Sequence, residues 1–242
     1  MIYTFGDSHS LEGWDSIPEH LISKNPIGPV LMYSIGNDTD SIQSNPPGLC
    51  KPFWIFGSCP LNNNCELPHA FGGGNLDILK RLNLKSYPIK SGDIVVFCFG
   101  EIDTRCHIIK HITSENTYQM IIDNMVIKYL ESIKLNVSQF HSIITMIYNI
   151  VPPVSILNTE IDPKYPFLGT DDERKQYVIY LNSKLRDKCP EYGFIFIDVY
   201  DKYTCTNGFL NKELSDGHVH IRDGRYIKEF MCEYILNILQ NV

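Results

Sequence analysis

The fold class this sequence predicts is α/β, a three-layer α/β/α sandwich on a five-stranded parallel sheet. Three observations predict it. Short runs that are apolar on both faces recur along the chain, as strands buried on two sides require. Longer segments between them repeat apolar residues at three and four, the helical period. The two kinds alternate, and strand–helix–strand order implies right-handed crossovers with helices on both faces of the sheet.

Taken in order, "MIYTFGDS" opens the chain as a short buried strand, and "PVLMYSIG" (29–36) reads as the second. "DIVVFCFG" (93–100) is a continuous apolar run, introduced by the turn-like "KSGD" and closed by Gly100, with Cys98 as a small core residue. "FHSIITMIYNIVPP" (140–153) is the fourth strand, stopped by Pro152 and Pro153, and "FIFIDVY" (194–200) is the fifth. "SENTYQMIIDNMVIKYLESIKL" (114–135) is a helix with Ser114 as its cap. "DDERKQYVIYLNSKLRDKC" (171–189) opens on acids suited to a helix N-terminus and ends before Pro190. "GRYIKEFMCEYILNILQ" (224–240) is the closing helix. Residues 37–72 show no period and are rich in Asn, Pro, Gly and Cys. Within a single domain spanning 1–242 they read as an irregular insertion.

Composition excludes several classes. With 242 residues, 43% of them hydrophobic and 20% charged, the chain can bury a sizeable core and is not expected to be disordered. A net charge of −7 and a pI near 5.6 argue against a nucleic-acid partner, which requires a basic face. No apolar run reaches the roughly 18–20 residues that cross a bilayer, so no membrane span is expected. The start lacks a basic segment, apolar stretch and small-residue cleavage site, which predicts a cytoplasmic protein with reduced cysteines. Cys59, Cys65 and His69, even joined by Cys50, lack a Cys-x-x-Cys knuckle. Gly72–Gly74 lacks the Gly-Lys-Ser/Thr ending of a phosphate loop. No metal and no cofactor are expected.

Ligands of open α/β sheets bind beyond the carboxyl ends of the strands. The first strand ends on Gly6-Asp7-Ser8, followed at once by His9 and Ser10. The second ends on Gly36-Asn37-Asp38, and the third on "GEIDTRCH" (100–107). Before the last helix comes "SDGHVHI" (215–221). A serine, a glycine turn, a polar cluster and an Asp/His pair therefore converge on one edge, with the makings of a nucleophile, an oxyanion site and a base.

These blocks, in this order, resemble the SGNH (GDSL-type) hydrolase superfamily. "GTDDERKQYVIYLNSKL" also resembles the helix before the last strand in its carbohydrate-esterase members, with Arg174, Leu181 and Asn182. The resemblance implies a flavodoxin-like SGNH fold, with Ser8 as nucleophile, His220 as base and Asp216 orienting the imidazole. It also implies that the Gly36 amide joins that of Ser8 in the oxyanion hole. Two departures stand out. Asp216 and His220 are four residues apart where the family has three, which leaves His218 as an alternative base. Ile102 takes the place of the family's oxyanion Asn, and an isoleucine side chain donates no hydrogen bond. Arg105 is the candidate replacement, as an oxyanion or substrate-binding group held by Glu101 and Asp103; alternatively the three form an internal ion pair that fixes their loop. The activity implied is that of a serine esterase acting on a glycan or other small polar ester. An acyltransferase using the same serine, or a degenerate domain that binds a glycan or a partner, remain the alternatives.

Overall fold

A strand packed on both sides has no solvent face to mark with polar residues, and two segments show this fully. Ile2–Gly6 (β1) and Ile94–Cys98 (β3) are buried at every position. They belong to a sheet of five parallel strands, with Ile22–Pro26 (β2), Ile144–Tyr148 (β4) and Ile195–Ile197 (β5), in the order β2-β1-β3-β4-β5. The computed structural model describes residues 1–27, 32, 84–158 and 165–240.

Side-chain alternation along these strands divides the core in two. Tyr3, Phe5, Val95, Phe97 and Ile147 pack with Ile122, Met125, Tyr129 and Leu130 of helix α1 (Tyr118–Val137) and Leu181 and Leu185 of helix α2 (Asp171–Lys188). Ile2, Val96, Cys98, Met146 and Tyr148 pack on the other face, with Trp14 and with Ile227 and Met231 of helix α3 (Arg225–Gln240). This is the three-layer arrangement expected of the pattern. Thr170 caps α2 through a capping box with Glu173, two reciprocal bonds that satisfy amides the helix cannot. Helix α1 is capped by Thr117, not by Ser114 as its sequence suggests, since the backbone becomes helical only at Tyr118.

The second strand requires a correction. The partner of β1 is Ile22–Pro26, which starts before the apolar run at 29–36; that run lies outside the described residues, apart from Met32. The reason is positional. β2 is an edge strand, and only Ile22 of "ISKNP" is buried, so it carries no apolar signal. Lys24 and a terminal Pro26 are residues that blunt an edge against further pairing.

The end of β1 is pressed against β3. A Cβ built on Gly6 would lie 2.1 Å from the Cys98 carbonyl oxygen, so no larger residue fits there without moving backbone. The next amide, of Asp7, donates to that same carbonyl at 3.3 Å. Gly6→Ala is expected to cost about 3 kcal/mol, the upper range for overpacking a core, as the loss measured by urea unfolding. A loss under about 1 kcal/mol would mean that the strands can part here without penalty.

Candidate active site

Where β1 leaves the sheet, Asp7 organises one short turn. Its Oδ1 accepts the His9 amide at 2.9 Å, while its carbonyl accepts the Ser10 amide at 3.1 Å and the Ser10 hydroxyl at 2.8 Å. Thr4 Oγ1 and Trp14 Nε1 bind the carbonyls of Ser10 and His9. The result is a single 3₁₀ turn, Ser8–Ser10, that buries His9 and Ser10 and turns the Ser8 side chain outward. Among the described residues, the Ser8 amide donates to no protein acceptor.

The segment before α3 closes on itself. Ser215 and Ile221 form an antiparallel bridge, and Gly217, at φ 92°, adopts the left-handed backbone that glycine accommodates. Asp216 donates its amide to the His220 carbonyl at 3.1 Å, and its Oδ1 accepts the amides of His218 (2.8 Å) and His220 (3.3 Å). These bonds use the extra residue between Asp216 and His220 without displacing the imidazole. His220 Nδ1 faces Asp216 Oδ2 at 2.8 Å, and His220 Nε2 faces Ser8 Oγ at 2.8 Å. Because Asp216 only accepts, the proton belongs on Nδ1, leaving Nε2 to accept the serine hydroxyl. His218 is exposed, on the outside of the loop.

Partial burial would raise the Asp216 pKa, but the His220 ring and the two amides outweigh it and hold the carboxyl below its ordinary value. Asp216 is therefore ionised throughout the neutral range. Its contribution to stability is present above the ordinary carboxylate pKa and is lost as pH falls through the depressed one.

The cluster after β3 behaves differently from the sequence-based expectation for an oxyanion group. Arg105 presents Nε and Nη2 to Glu101 Oε1 (2.7 Å) and Oε2 (2.9 Å) as a two-toothed fork, and Nη1 to the Tyr165 carbonyl (2.6 Å). The Tyr165 and Phe167 rings lie 5.8 and 5.3 Å from the guanidinium carbon. Every guanidinium nitrogen thus already donates within the protein. Burial works against the charge, but the Glu101 carboxylate outweighs it and raises the Arg105 pKa. Asp103, instead of flanking the arginine as expected, accepts the Met32 amide at 2.7 Å. Ile102 is a core residue at 8% exposure. Gly36, Cys50, Cys59, Cys65, His69 and Gly72–Gly74 lie outside the described residues. Among the described residues, no cluster of His, Cys, Asp and Glu could hold a metal, and no helix is long and apolar enough to cross a membrane.

Arg174 and Asn182, read from the sequence as sugar-esterase features, have local partners. Arg174 pairs with Asp171 and donates to the Gly169 carbonyl at 2.9 Å. Asn182 clamps both backbone groups of Ile150 just beyond β4, at 2.7 and 2.8 Å. His9 is the site neighbour that sequence reasoning overlooked. It is 5% exposed, and its ring lies 5.0 Å from that of His220. The one signal for it was its place between two serines, directly after Ser8.

No protein-family model matches the chain, and no curated protein matches it in sequence. Solved structures do match in shape. A Streptococcus pneumonia protein assigned as a platelet activating factor aligns with a TM-score of 0.54 at 14% identity, over 96% of this chain and 82% of that one. A Bacteroides fragilis protein assigned as an acylhydrolase aligns with a TM-score of 0.54 at 13% identity, over 98% and 87%. The five-stranded parallel sheet with its flanking helices has the SGNH hydrolase fold.

The Arg105–Glu101 fork is largely buried, at 11% and 12% side-chain exposure. Arg105→Ala would strand the Glu101 carboxylate and is expected to cost about 3 kcal/mol by urea unfolding, since breaking a buried pair leaves an uncompensated charge. Adding Glu101→Gln should return most of that loss. If the double variant is no more stable than Arg105→Ala, the fork is not what the arginine contributes.

Proposed function

We propose that the protein is a serine esterase of the SGNH type, removing an acyl group from a carbohydrate or another small polar ester. One observation carries the reading: an unbroken line of two 2.8 Å contacts from Ser8 Oγ through the His220 ring to Asp216. The fold it shares with a protein assigned as an acylhydrolase supports an ester as substrate. The carbohydrate preference rests on the sequence resemblance of the α2 region.

The chemistry follows from the donors and acceptors. Ser8 Oγ attacks the acyl carbon while its proton passes to His220 Nε2, and Asp216 stabilises the imidazolium that forms. The carbonyl oxygen becomes an oxyanion, for which the Ser8 amide, without a protein acceptor among the described residues, is an available donor. The Gly36 amide is the second donor that the resemblance supplies. Collapse of this intermediate breaks the ester C–O bond, and His220 returns the proton to the leaving alcohol. Water activated by the same ring then attacks the acyl-serine, and the second collapse releases the acid and restores Ser8. Each step uses side chains, backbone and water. The loop accommodates the four-residue Asp216–His220 spacing with a left-handed turn at Gly217, which supports His220 as the base.

A fluorophosphonate probe tests the proposal. Ser8 should be the residue modified, as located by peptide mass spectrometry, and Ser8→Ala should abolish labelling. Asp216→Asn should lower turnover of an activated acetyl ester by about 10³–10⁴-fold, as loss of the orienting carboxylate does in such triads. His218→Ala should behave like wild type. A folded wild-type protein that neither labels nor turns over ester, with wild-type-like behaviour in Ser8→Ala, ends the esterase reading.

A further inference from the structure

We propose that His9 is a positioning residue for the candidate base, a buried imidazolium that ties the Ser8 turn to the loop carrying His220. The inference rests on the reading of Ser8 and His220 as the reacting pair.

The geometry is a pair of rungs. Ser8 and His9 are consecutive, and so are Val219 and His220. Ser8 Oγ meets His220 Nε2 at 2.8 Å on the outside, while His9 Nε2 meets the Val219 carbonyl at 3.3 Å beneath it. The outer rung must break each time the serine reacts. The inner one need not, so it can hold the imidazole in register throughout the cycle. Displacement of a reacting group by about 1 Å can cost on the order of 10²-fold in rate.

His9 needs both ring protons for this task. Its Nδ1 lies 2.9 Å from Asp7 Oδ1 and its Nε2 faces the Val219 carbonyl, both acceptors when Asp7 is ionised. A neutral ring has a single N–H and would leave one of these contacts between two lone pairs. Asp7 provides the complementary argument. Its side chain is 2% exposed, and Oδ2 has no hydrogen-bond partner among the described residues, so its charge is met through Oδ1. A buried carboxylate without a cation is costly.

The groups around His9 agree with this assignment. Asp7 belongs to its own turn. Glu101, from the segment after β3, lends a further negative charge and carries the Arg105 fork. The Cys98 thiol of β3 and the Tyr148 hydroxyl of β4, in the same cavity lining, are both held protonated by burial. The His220 ring stands at 5.0 Å. Burial pushes the His9 pKa down, but the charge and hydrogen bond of Asp7, then Glu101 and the Val219 carbonyl, carry it up to about 9. With its folded pKa above the unfolded one, the tie contributes fully below the ordinary histidine pKa. It is lost as pH rises through about 9.

Two measurements test the tie. Ring ¹⁵N NMR of the wild-type protein at neutral pH should show both His9 nitrogens protonated. The rate of fluorophosphonate labelling at Ser8 should fall on the alkaline side with a midpoint of about 9. His9→Gln, checked for folding by circular dichroism, should label on the order of 10²-fold more slowly and lose that alkaline fall. A singly protonated His9 at neutral pH, or His9→Gln that labels at the wild-type rate with the same alkaline fall, overturns the inference. If His9→Gln does not fold, the wild-type NMR and pH profile decide without it. If wild type resists labelling at every pH, the esterase reading falls, and the ring spectrum alone decides whether His9 is the doubly protonated tie.

Discussion

The carboxylate of Asp7 is buried where β1 runs out of sheet, and the arrangement around it depends on how that charge is satisfied. Backbone and side chain are recruited together. The Asp7 amide binds back to β3, its carbonyl takes two donors from Ser10, and Oδ1 takes both the amide and the ring of His9. A turn this short can satisfy the carboxylate only by rotating His9 inward, and Ser8, one residue earlier, then faces out. The exposure of the candidate nucleophile is thus a consequence of burying its two neighbours. Gly6 permits it, because the close approach of β1 to β3 brings Asp7 within reach of the Cys98 carbonyl.

The opposing loop reaches a defined shape by local means. Asp216 binds the backbone of His218 and His220 as well as the His220 ring, and the Ser215–Ile221 bridge seals the base of the loop. The bonds that shape this loop are therefore local to it. Most of the entropy cost of shaping the loop is thus met by short-range bonds, which close small loops and so order few residues each.

The sequence is most informative where burial is two-sided. "IVVFC" and "ITMIY" declare themselves as strands because no solvent face interrupts them. β2 is not legible for the opposite reason: at the edge of the sheet "ISKNP" needs only one buried side chain, and it reads as a loop. Ser8, Asp216 and His220 stand at strand and helix boundaries where chemistry-bearing residues interrupt apolar pattern, which marks the segments, while the role of each residue is what the SGNH resemblance implies. For Arg105 the sequence leaves two readings open, a substrate-facing group or an internal ion pair, and the structure shows it paired with Glu101. Its fork is claimed by Glu101, four residues earlier on the same turn, and by a carbonyl far along the chain at Tyr165. His9 is the extreme case, since its partners are an aspartate two residues away and a carbonyl from the loop before α3. A carbonyl carries no sequence signature at all.

Charge beneath the site is balanced pair by pair. Asp7 faces His9, and Glu101 faces Arg105, with the hydrogen bonds of each pair directed at one another. In the proposed reaction, stabilisation of the oxyanion would fall to backbone dipoles, and the Ser8 amide has no protein acceptor among the described residues. On that proposed reading, the asparagine whose place Ile102 takes would not be required. The side chain there is a core residue, and the polarity of the segment has been spent on the Glu101–Arg105 pair that anchors it. A polar residue at 102 would have to be desolvated in an apolar setting, whereas a backbone amide at the start of a turn is already oriented and already unpaired. In the proposed reaction, hydrogen bonding from the main chain is the economical way to meet developing negative charge, because the neighbouring side chains are committed to one another.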